Sequence, residues 1–228
     1  MNTLNRRLMM LFGFVGAGII TSASLITALA YIGRAGETYS PLSHFVSELG
    51  HTADSERSYV FNLSLLIGGL AYGAFLLLLG LRFNGILRRV FALIGALTGI
   101  STALVACFPM DINLEWHGNF AFGFFNGSLV WIVLFSLVVG FARQTPYPRW
   151  MALIGVPSIL LNLAFLALIF RGGRESLLPP EGARLPVWDA AALEWSVVIS
   201  IMVWVTVITI WRAAHNDEID STDAGARA

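Results

Sequence analysis

The sequence predicts an all-α, polytopic membrane protein built as a bundle of six transmembrane helices. The 228 residues are 57% apolar and only 12% charged, with a mean hydropathy of +0.74, whereas soluble domains have about 25% charged residues. Six stretches reach the roughly 20 mostly apolar residues that a membrane span needs. Their interiors carry no charge except Glu194, at the edge of the last stretch.

The six predicted spans are separated by polar connections. They cover about residues 8–32, 58–81, 90–108, 118–141, 150–170 and 193–211. We expect residues 1–211 to form one transmembrane domain and residues 212–228 a disordered cytoplasmic tail. Ala28-Leu29-Ala30 resembles a signal-peptide cleavage site. The first span is longer than the roughly 7–15 apolar residues of a signal peptide, so we expect a retained anchor.

Arginine placement predicts the orientation in the cell membrane. With the N-terminus inside, the inner segments hold nine of the 14 basic residues: Arg6, Arg7, Arg82, Arg88, Arg89, Arg143, Arg149, Arg212 and Arg227. The outer loops hold Arg34, Arg57, Arg171, Arg174 and Arg184. Because cytoplasmic loops carry the excess of basic residues, both termini are predicted to be cytoplasmic.

A short amphipathic helix is predicted in the first outer connection. Ser40 suits its N-cap, Pro41 its first position and Gly50 its C-terminal stop. Apolar residues follow helical spacing at Leu42, Phe45, Val46 and Leu49, with His44, Ser47 and Glu48 opposite. About nine residues make a helix of roughly 14 Å, too short to span. We expect it to lie at the membrane surface with its polar side toward a cavity or water.

The outer connections also collect the candidate catalytic and metal-binding residues. His44, Glu48, Asp111 and His117 are candidates for general acid–base catalysis. Imidazoles are common zinc ligands, so His44, His51 and His117 are candidates for a zinc site. The chain lacks a His-Glu-x-x-His zinc signature, however. A structural network at the helix ends explains the same residues and is the simpler alternative.

Polar and small residues inside the apolar runs predict how the helices pack. Asparagines within spans need hydrogen-bond partners, so we expect Asn62, Asn126 and Asn162 to face the bundle interior. We interpret Ser47, Gly50, Asn62 and Asn126 as structural or cavity-lining residues. Glycine pairs at four-residue spacing predict close helix contacts, at Gly69 and Gly73, Gly95 and Gly99, and Gly123 and Gly127.

Composition also restricts the partners. The net charge is zero, which disfavours nucleic-acid binding, because that requires a basic surface. A single cysteine, Cys107, excludes an intrachain disulfide. Membrane lipids are the expected partners, and the oligomeric state is left open.

Several motifs resemble a known family. They are Tyr39-Ser40-Pro41-Leu42-Ser43-His44-Phe45-Val46-Ser47-Glu48-Leu49-Gly50, then Phe61-Asn62, Phe108-Pro109-Met110-Asp111 and His117-Gly118. Together they resemble the bacterial and archaeal domain-of-unknown-function family 998 (DUF998), from the first helix to about the sixth. The resemblance implies a six-helix membrane protein without an established activity. The positions that carry the pattern are His44, Ser47, Glu48, Gly50, Asn62, Asp111 and His117.

A more distant resemblance concerns the short helix that precedes an asparagine-bearing span. It is similar to the Frag1/DRAM/Sfk1 group, some of whose members are tied to lipid remodelling or lipid organisation.

The sequence leaves three functional hypotheses open. The protein binds a lipid headgroup or partner in a polar extracytoplasmic cavity, or it is a lipid hydrolase or transferase, with or without zinc. A small transporter ranks last, because the span interiors lack charged residues.

Overall fold

The structure is a computed structural model that describes residues 3–33, 36–143, 145, 147–172 and 184–215. Its helices are α1 (Thr3–Leu29), α2 (Ser58–Gly80), α3 (Gly85–Cys107), α4 (Leu114–Phe141), α5 (Met151–Ile154), α6 (Val156–Gly172) and α7 (Asp189–Ala214), with a short 3-10 helix (Val46–Gly50) between α1 and α2. Six spans are long and apolar enough to cross a membrane, α5 and α6 together forming one. The predicted helical, multi-pass architecture is confirmed. Residues 212–214 of the predicted disordered tail instead belong to the last turn of α7, and residues 216–228 lie outside the described residues.

Most helices extend beyond their predicted ends. α3 begins at Gly85 rather than near residue 90, α4 at Leu114 rather than 118, and α7 at Asp189 rather than 193. The Asn113 side chain accepts a hydrogen bond from the backbone N–H of Trp116 and so caps α4. Hydropathy marks only the apolar part of a span, whereas the helix continues through polar turns outside it. Glu115 therefore lies on α4 rather than in a loop, and His117 and Glu194 lie about one turn inside their helices rather than at the ends.

The fifth predicted span, about residues 150–170, is divided into α5 and α6 at Gly155. Pro157 has no N–H to donate to the preceding turn, and it disfavours helical geometry at Val156. Gly155 also lies against Ile132 and Ser136 of α4. The break therefore lies at a position that packs closely against α4.

The six spans form a closed ring of neighbours. α1 contacts α2 and α7, α3 contacts α2 and α4, and α6 contacts α4 and α7. Large aromatic side chains fill the centre, where Trp131 packs against Phe135 and Trp204. The Trp131 indole donates to the Phe91 carbonyl at 3.0 Å, which satisfies its buried N–H. The ring is thereby closed around a packed core.

The predicted glycine contacts are confirmed within the bundle. A methyl group added to Gly73 would meet the Gly99 backbone, and one added to Gly69 would meet the backbone at Thr102 and Ala103. Side chains at these positions would separate α2 from α3. Gly127 of α4 lies equally close to Thr98 of α3.

The predicted amphipathic helix is wrong in extent and surroundings. Residues 41–44 form a turn, Phe45 is extended (φ −65°, ψ 151°), and only Val46–Gly50 is a 3-10 helix. A continuous helix would use its backbone carbonyls for its own hydrogen bonds. Here the Phe45 carbonyl instead accepts a hydrogen bond from the Tyr39 hydroxyl at 2.7 Å. Two of the three polar residues expected to face a cavity or water are buried, since His44 is 1% and Glu48 5% exposed, whereas Ser47 is partly exposed.

Candidate functional site

The described parts of three connections meet at one end of the bundle, which we call the His44 end: residues 30–33 with 36–57, residues 108–113, and residues 184–188. The backbone N–H of Trp188 donates to the Leu42 carbonyl at 2.7 Å. The backbone N–H of Thr52 donates to the Asp111 carboxylate at 2.9 Å. These hydrogen bonds join the first connection to the other two.

His44 lies in an aromatic cluster. Its ring centroid is 5.4 Å from that of Tyr31 and 4.9 Å from that of Tyr39. Its Nδ1 is 3.1 Å from the Ser43 hydroxyl, while Nε2 is buried with no hydrogen-bond partner among the described residues. Burial, together with the Arg184 guanidinium, lowers the pKa of His44 below its ordinary value. His44 is therefore uncharged at neutral pH.

Glu48 and Arg184 form a half-buried ion pair 136 positions apart in the chain. Both guanidinium Nη atoms donate to the Glu48 carboxylate, and Nη1 also donates to the Ser43 carbonyl at 3.0 Å. Burial alone would lower the pKa of Arg184, but the hydrogen bonds and charge of Glu48 outweigh it and raise the pKa. The Glu37 carboxylate forms a second ion pair with Arg184, with 3.4 Å between Oε1 of Glu37 and Nε of Arg184. The ion pair fastens the segment preceding α7 onto the first connection.

Asp111 is the centre of a second polar network at the His44 end. Its carboxylate accepts hydrogen bonds from the Thr52 hydroxyl and the Ala53 N–H, and it lies 3.7 Å from His51 Nδ1. Partial burial alone would raise the pKa of Asp111, but the Thr52 hydrogen bonds and His51 outweigh it and lower the pKa. This network connects the α3–α4 turn to the segment preceding α2.

Glu194 enters the His44 end from α7. Its carboxylate is 8% exposed and accepts the Val46 N–H at 2.6 Å. The Ser47 N–H forms a further hydrogen bond to it. A 3-10 helix leaves its first N–H groups without internal partners, and Glu194 supplies an acceptor for two of them.

His117 enters the same region from α4. Its Nδ1 lies 2.9 Å from the Phe108 carbonyl oxygen. A carbonyl can only accept, so this hydrogen bond places a proton on Nδ1. In the neutral ring, Nε2 is then an acceptor.

A cavity of about 480 Å³, here called the α4–α6 cavity, lies between α4 and α6 at the His44 end. Its apolar lining consists of Phe45, Met110, Leu114, Gly118, Ala121, Phe122, Phe125, Phe165, Leu166 and Ile169. Its polar lining residues are Ser47, Glu115, His117, Asn119 and Glu194. The size is in the range of ligand sites, about 300–1,000 Å³.

The α4–α6 cavity ends where the two helices converge. Asn162 of α6 donates to the Phe125 carbonyl of α4 at 3.0 Å. Toward the His44 end the cavity separates the helices, and its wall includes Leu114 and Phe122, which are 54% and 50% exposed. The cavity thus reaches the outer surface of the bundle along α4.

A smaller cavity of about 60 Å³ continues into the bundle centre, where Ile20, Leu65 and Met202 contribute to its wall. The two cavities share Ser47, Ala121, His117, Phe125 and Glu194. Two buried polar residues, His117 and Glu194, therefore stand where an apolar cavity enters the bundle. Buried polar groups beside an apolar cavity are typical of ligand sites.

The predicted site residues are distributed over three groups. His44 and Glu48 lie beside Arg184, Asp111 contacts Thr52 and His51, and His117 lines both cavities. Among the residues that the structure describes, no group of three or more His, Cys, Asp or Glu side chains is placed to hold a metal ion. The zinc site at His44, His51 and His117, and catalysis by His44, Glu48, Asp111 and His117, stay predictions without supporting geometry.

The predicted structural residues have separate roles. Ser47 lines both cavities, and Asn62 donates to the Gly50 carbonyl at 2.9 Å, which fixes the end of the 3-10 helix. Asn162 is buried as expected. The Asn126 amide donates to the Phe122 carbonyl one turn earlier on its own helix. An asparagine can thus satisfy this donor without a partner from another helix.

Glu194 and Arg184 were not among the predicted site residues. Glu194 had a signal, because it is the one charged residue within an apolar run. No sequence pattern pointed to Arg184, because its partners, Glu37 and Glu48, lie far away in the chain.

The fold and the cavity define a class: a helical, multi-pass membrane protein with an apolar cavity that ends in buried polar groups. A family model described as protein of unknown function (DUF998) matches residues 14–211, and the chain belongs to that family. No curated protein and no solved structure matches it. The similarity to the Frag1/DRAM/Sfk1 group is not among the matches and stays a prediction.

Proposed function

We propose that the protein binds an amphipathic membrane molecule in the α4–α6 cavity. Its polar group lies at Ser47, His117 and Glu194, and its apolar part lies between α4 and α6. The observation that carries this proposal is the pairing, in one cavity, of an apolar wall with two buried polar side chains.

The route of entry follows from the exposed side of the cavity. Leu114 and Phe122 belong both to the cavity wall and to the exposed surface of a membrane-spanning helix. A molecule dissolved in the bilayer therefore reaches the cavity sideways, without leaving the membrane. With both termini cytoplasmic, as the arginines predict, the cavity takes its ligand from the extracytoplasmic leaflet.

Two features of the cavity favour binding. The apolar part of the ligand packs against the cavity wall, and the ligand's polar group meets the polar residues at the end of the cavity. The phenylalanines at positions 122, 125 and 165 supply much of the contact surface. The buried His117 and Glu194 fix the orientation, because a ligand group that does not meet them leaves them without partners.

A blocking substitution tests the proposal. Gly118 lines the cavity, and a methyl group added there would meet nothing within 4 Å. Gly118→Leu therefore places a side chain in the cavity while improving helix propensity. Gly18 of α1 is also exposed with nothing within 4 Å, so Gly18→Leu is a matched control outside the cavity.

The measurement is native mass spectrometry of the detergent-purified protein, with the released molecules identified after organic extraction. We expect the wild type and Gly18→Leu to retain an amphipathic molecule from the membrane and Gly118→Leu to lose most of it. Equal retention by all three proteins, or no retained molecule in the wild type, would contradict the proposal.

A further inference from the structure

We propose that the ligand of the α4–α6 cavity meets the protein with a hydrogen-bond donor that bears no negative charge, a hydroxyl or a protonated amine. This inference rests on the proposed function and specifies the chemical class of the ligand. The groups at the polar end of the cavity carry it.

His117 offers an acceptor. Its Nδ1–H is committed to the Phe108 carbonyl at 2.9 Å, which leaves Nε2 of the neutral ring with a lone pair and no proton. A hydroxyl or ammonium group can donate to Nε2. A carboxylate or a fully deprotonated phosphate has no proton to give and leaves this acceptor unmet.

Glu194 offers acceptor oxygens. Its Oε2 accepts the Val46 N–H, but a carboxylate has about four lone-pair sites on its two oxygens. Ser47, which also lines the cavity, carries a hydroxyl that either donates or accepts. A ligand hydroxyl can therefore donate to Glu194 and accept from Ser47 in the same position.

The charge of the lining disfavours an anion. The carboxyl groups of Glu115 and Glu194 line the cavity, whereas none of its described lining residues is arginine. Arg184 is engaged by Glu48 and Glu37 elsewhere at the His44 end. Residues 173–183, outside the described part, contain one arginine and two glutamates in sequence. An anionic headgroup would thus lie beside two carboxyl groups, with no arginine among the described lining residues to compensate it.

The test compares four ligands that share one hexadecyl chain. Hexadecanol and hexadecylamine carry a donor, hexadecyl methyl ether lacks one, and hexadecyl phosphate at pH 8, well above its second pKa of about 6, is an anion without a donor. Each competes with the others for the detergent-purified protein, and native mass spectrometry counts the bound molecules. Gly118→Leu identifies the binding that occurs in the cavity.

We expect the alcohol and the amine to bind at least about tenfold more tightly than the ether and the phosphate, since a site built around hydrogen bonds rejects analogues that cannot form them. Tighter binding of the phosphate or the ether, or equal binding of all four, would overturn the inference. If that binding is still lost in Gly118→Leu, the proposed function stands. If no ligand binds in a Gly118-dependent manner, both proposals fail.

A charge-removing variant adds a readout that does not depend on the folded fraction. Glu194→Gln keeps the shape and an acceptor oxygen for the Val46 N–H. We expect the preference for hexadecylamine over hexadecyl phosphate to fall at least several-fold in Glu194→Gln. The exposed Glu56→Gln serves as a control and should keep the wild-type ratio. An unchanged ratio in Glu194→Gln would contradict the role of Glu194.

Discussion

The backbone N–H of Val46 and the carboxylate of Glu194 form a 2.6 Å hydrogen bond between residues 148 positions apart. It connects the start of the 3-10 helix to α7, and both residues line the central cavity. The same carboxyl group therefore supports the first connection and contributes the polar end of the proposed ligand site.

Removing the Glu194 carboxyl group is expected to destabilise the fold. In Glu194→Ala the buried N–H groups of Val46 and Ser47 lose their acceptor, which costs about 1–3 kcal/mol. Glu194→Gln retains an acceptor oxygen and should cost less. The free energy of unfolding, measured by titrating detergent micelles with sodium dodecyl sulfate, checks this order. The exposed Glu56→Ala should change little, and a Gln variant less stable than the Ala variant would be incompatible with this role.

The Glu48–Arg184 pair is expected to show a measurable coupling. In a double-mutant cycle with Glu48→Ala and Arg184→Ala, we expect about 1 kcal/mol of coupling, because Glu48 is buried while Arg184 remains partly exposed to solvent. Each single variant should also increase hydrogen exchange in residues 36–50, which the pair holds. Additive single-variant effects would show that the ion pair does not fasten this segment.

The α2–α3 contact is expected to depend on the absence of side chains. Gly99→Val adds atoms against the Gly73 backbone, and we expect a loss of about 1–3 kcal/mol or more because overpacking forces the helices apart. Gly18→Val makes the same change in helix propensity on an exposed helix face. The free energy of unfolding, measured in mixed micelles, should fall more in Gly99→Val than in Gly18→Val. Equal losses of free energy in the two variants would point to helix propensity instead of packing.

His44 is expected to make the fold less stable as pH falls below the ordinary imidazole pKa of 6.5. Burial and Arg184 lower its pKa in the folded protein, so the unfolded chain takes up the proton first as pH falls. Stability is therefore fully present above the ordinary value of 6.5 and is lost as pH falls toward the lowered value. His44→Gln should flatten this part of the stability–pH curve. A His44→Gln variant whose stability falls with pH as steeply as that of the wild type would contradict the assignment.

The membrane architecture was predictable because the bilayer imposes a length and a composition on each span. The glycine contacts were predictable for a similar reason, since close approach requires small residues. The helix ends could not be predicted in the same way, because each helix continues into polar turns that hydropathy does not register. That error placed His117 at the edge of the fourth predicted span, whereas it lies about one turn inside α4 and lines the cavity.

The site was harder to predict because its contacts join distant parts of the chain. The acceptor role of Glu194 depends on the backbone N–H of Val46, and any residue other than proline has such a group. Arg184 reaches Glu48 only after the chain has crossed the membrane four more times. The 3-10 geometry at Val46 also depends on these partners, whereas local spacing favoured a longer amphipathic helix.

Mapping a bound ligand tests the central claim most directly. A long-chain alcohol bearing a diazirine in its chain would be added to the purified protein and activated by light, and the labelled residues identified by mass spectrometry of peptides. We expect labels on the cavity-facing parts of α4 and α6, around Phe122 and Phe165, and their loss in Gly118→Leu but not in Gly18→Leu. Labels spread over the exposed faces of all six spans, unchanged by Gly118→Leu, would contradict a ligand site between α4 and α6.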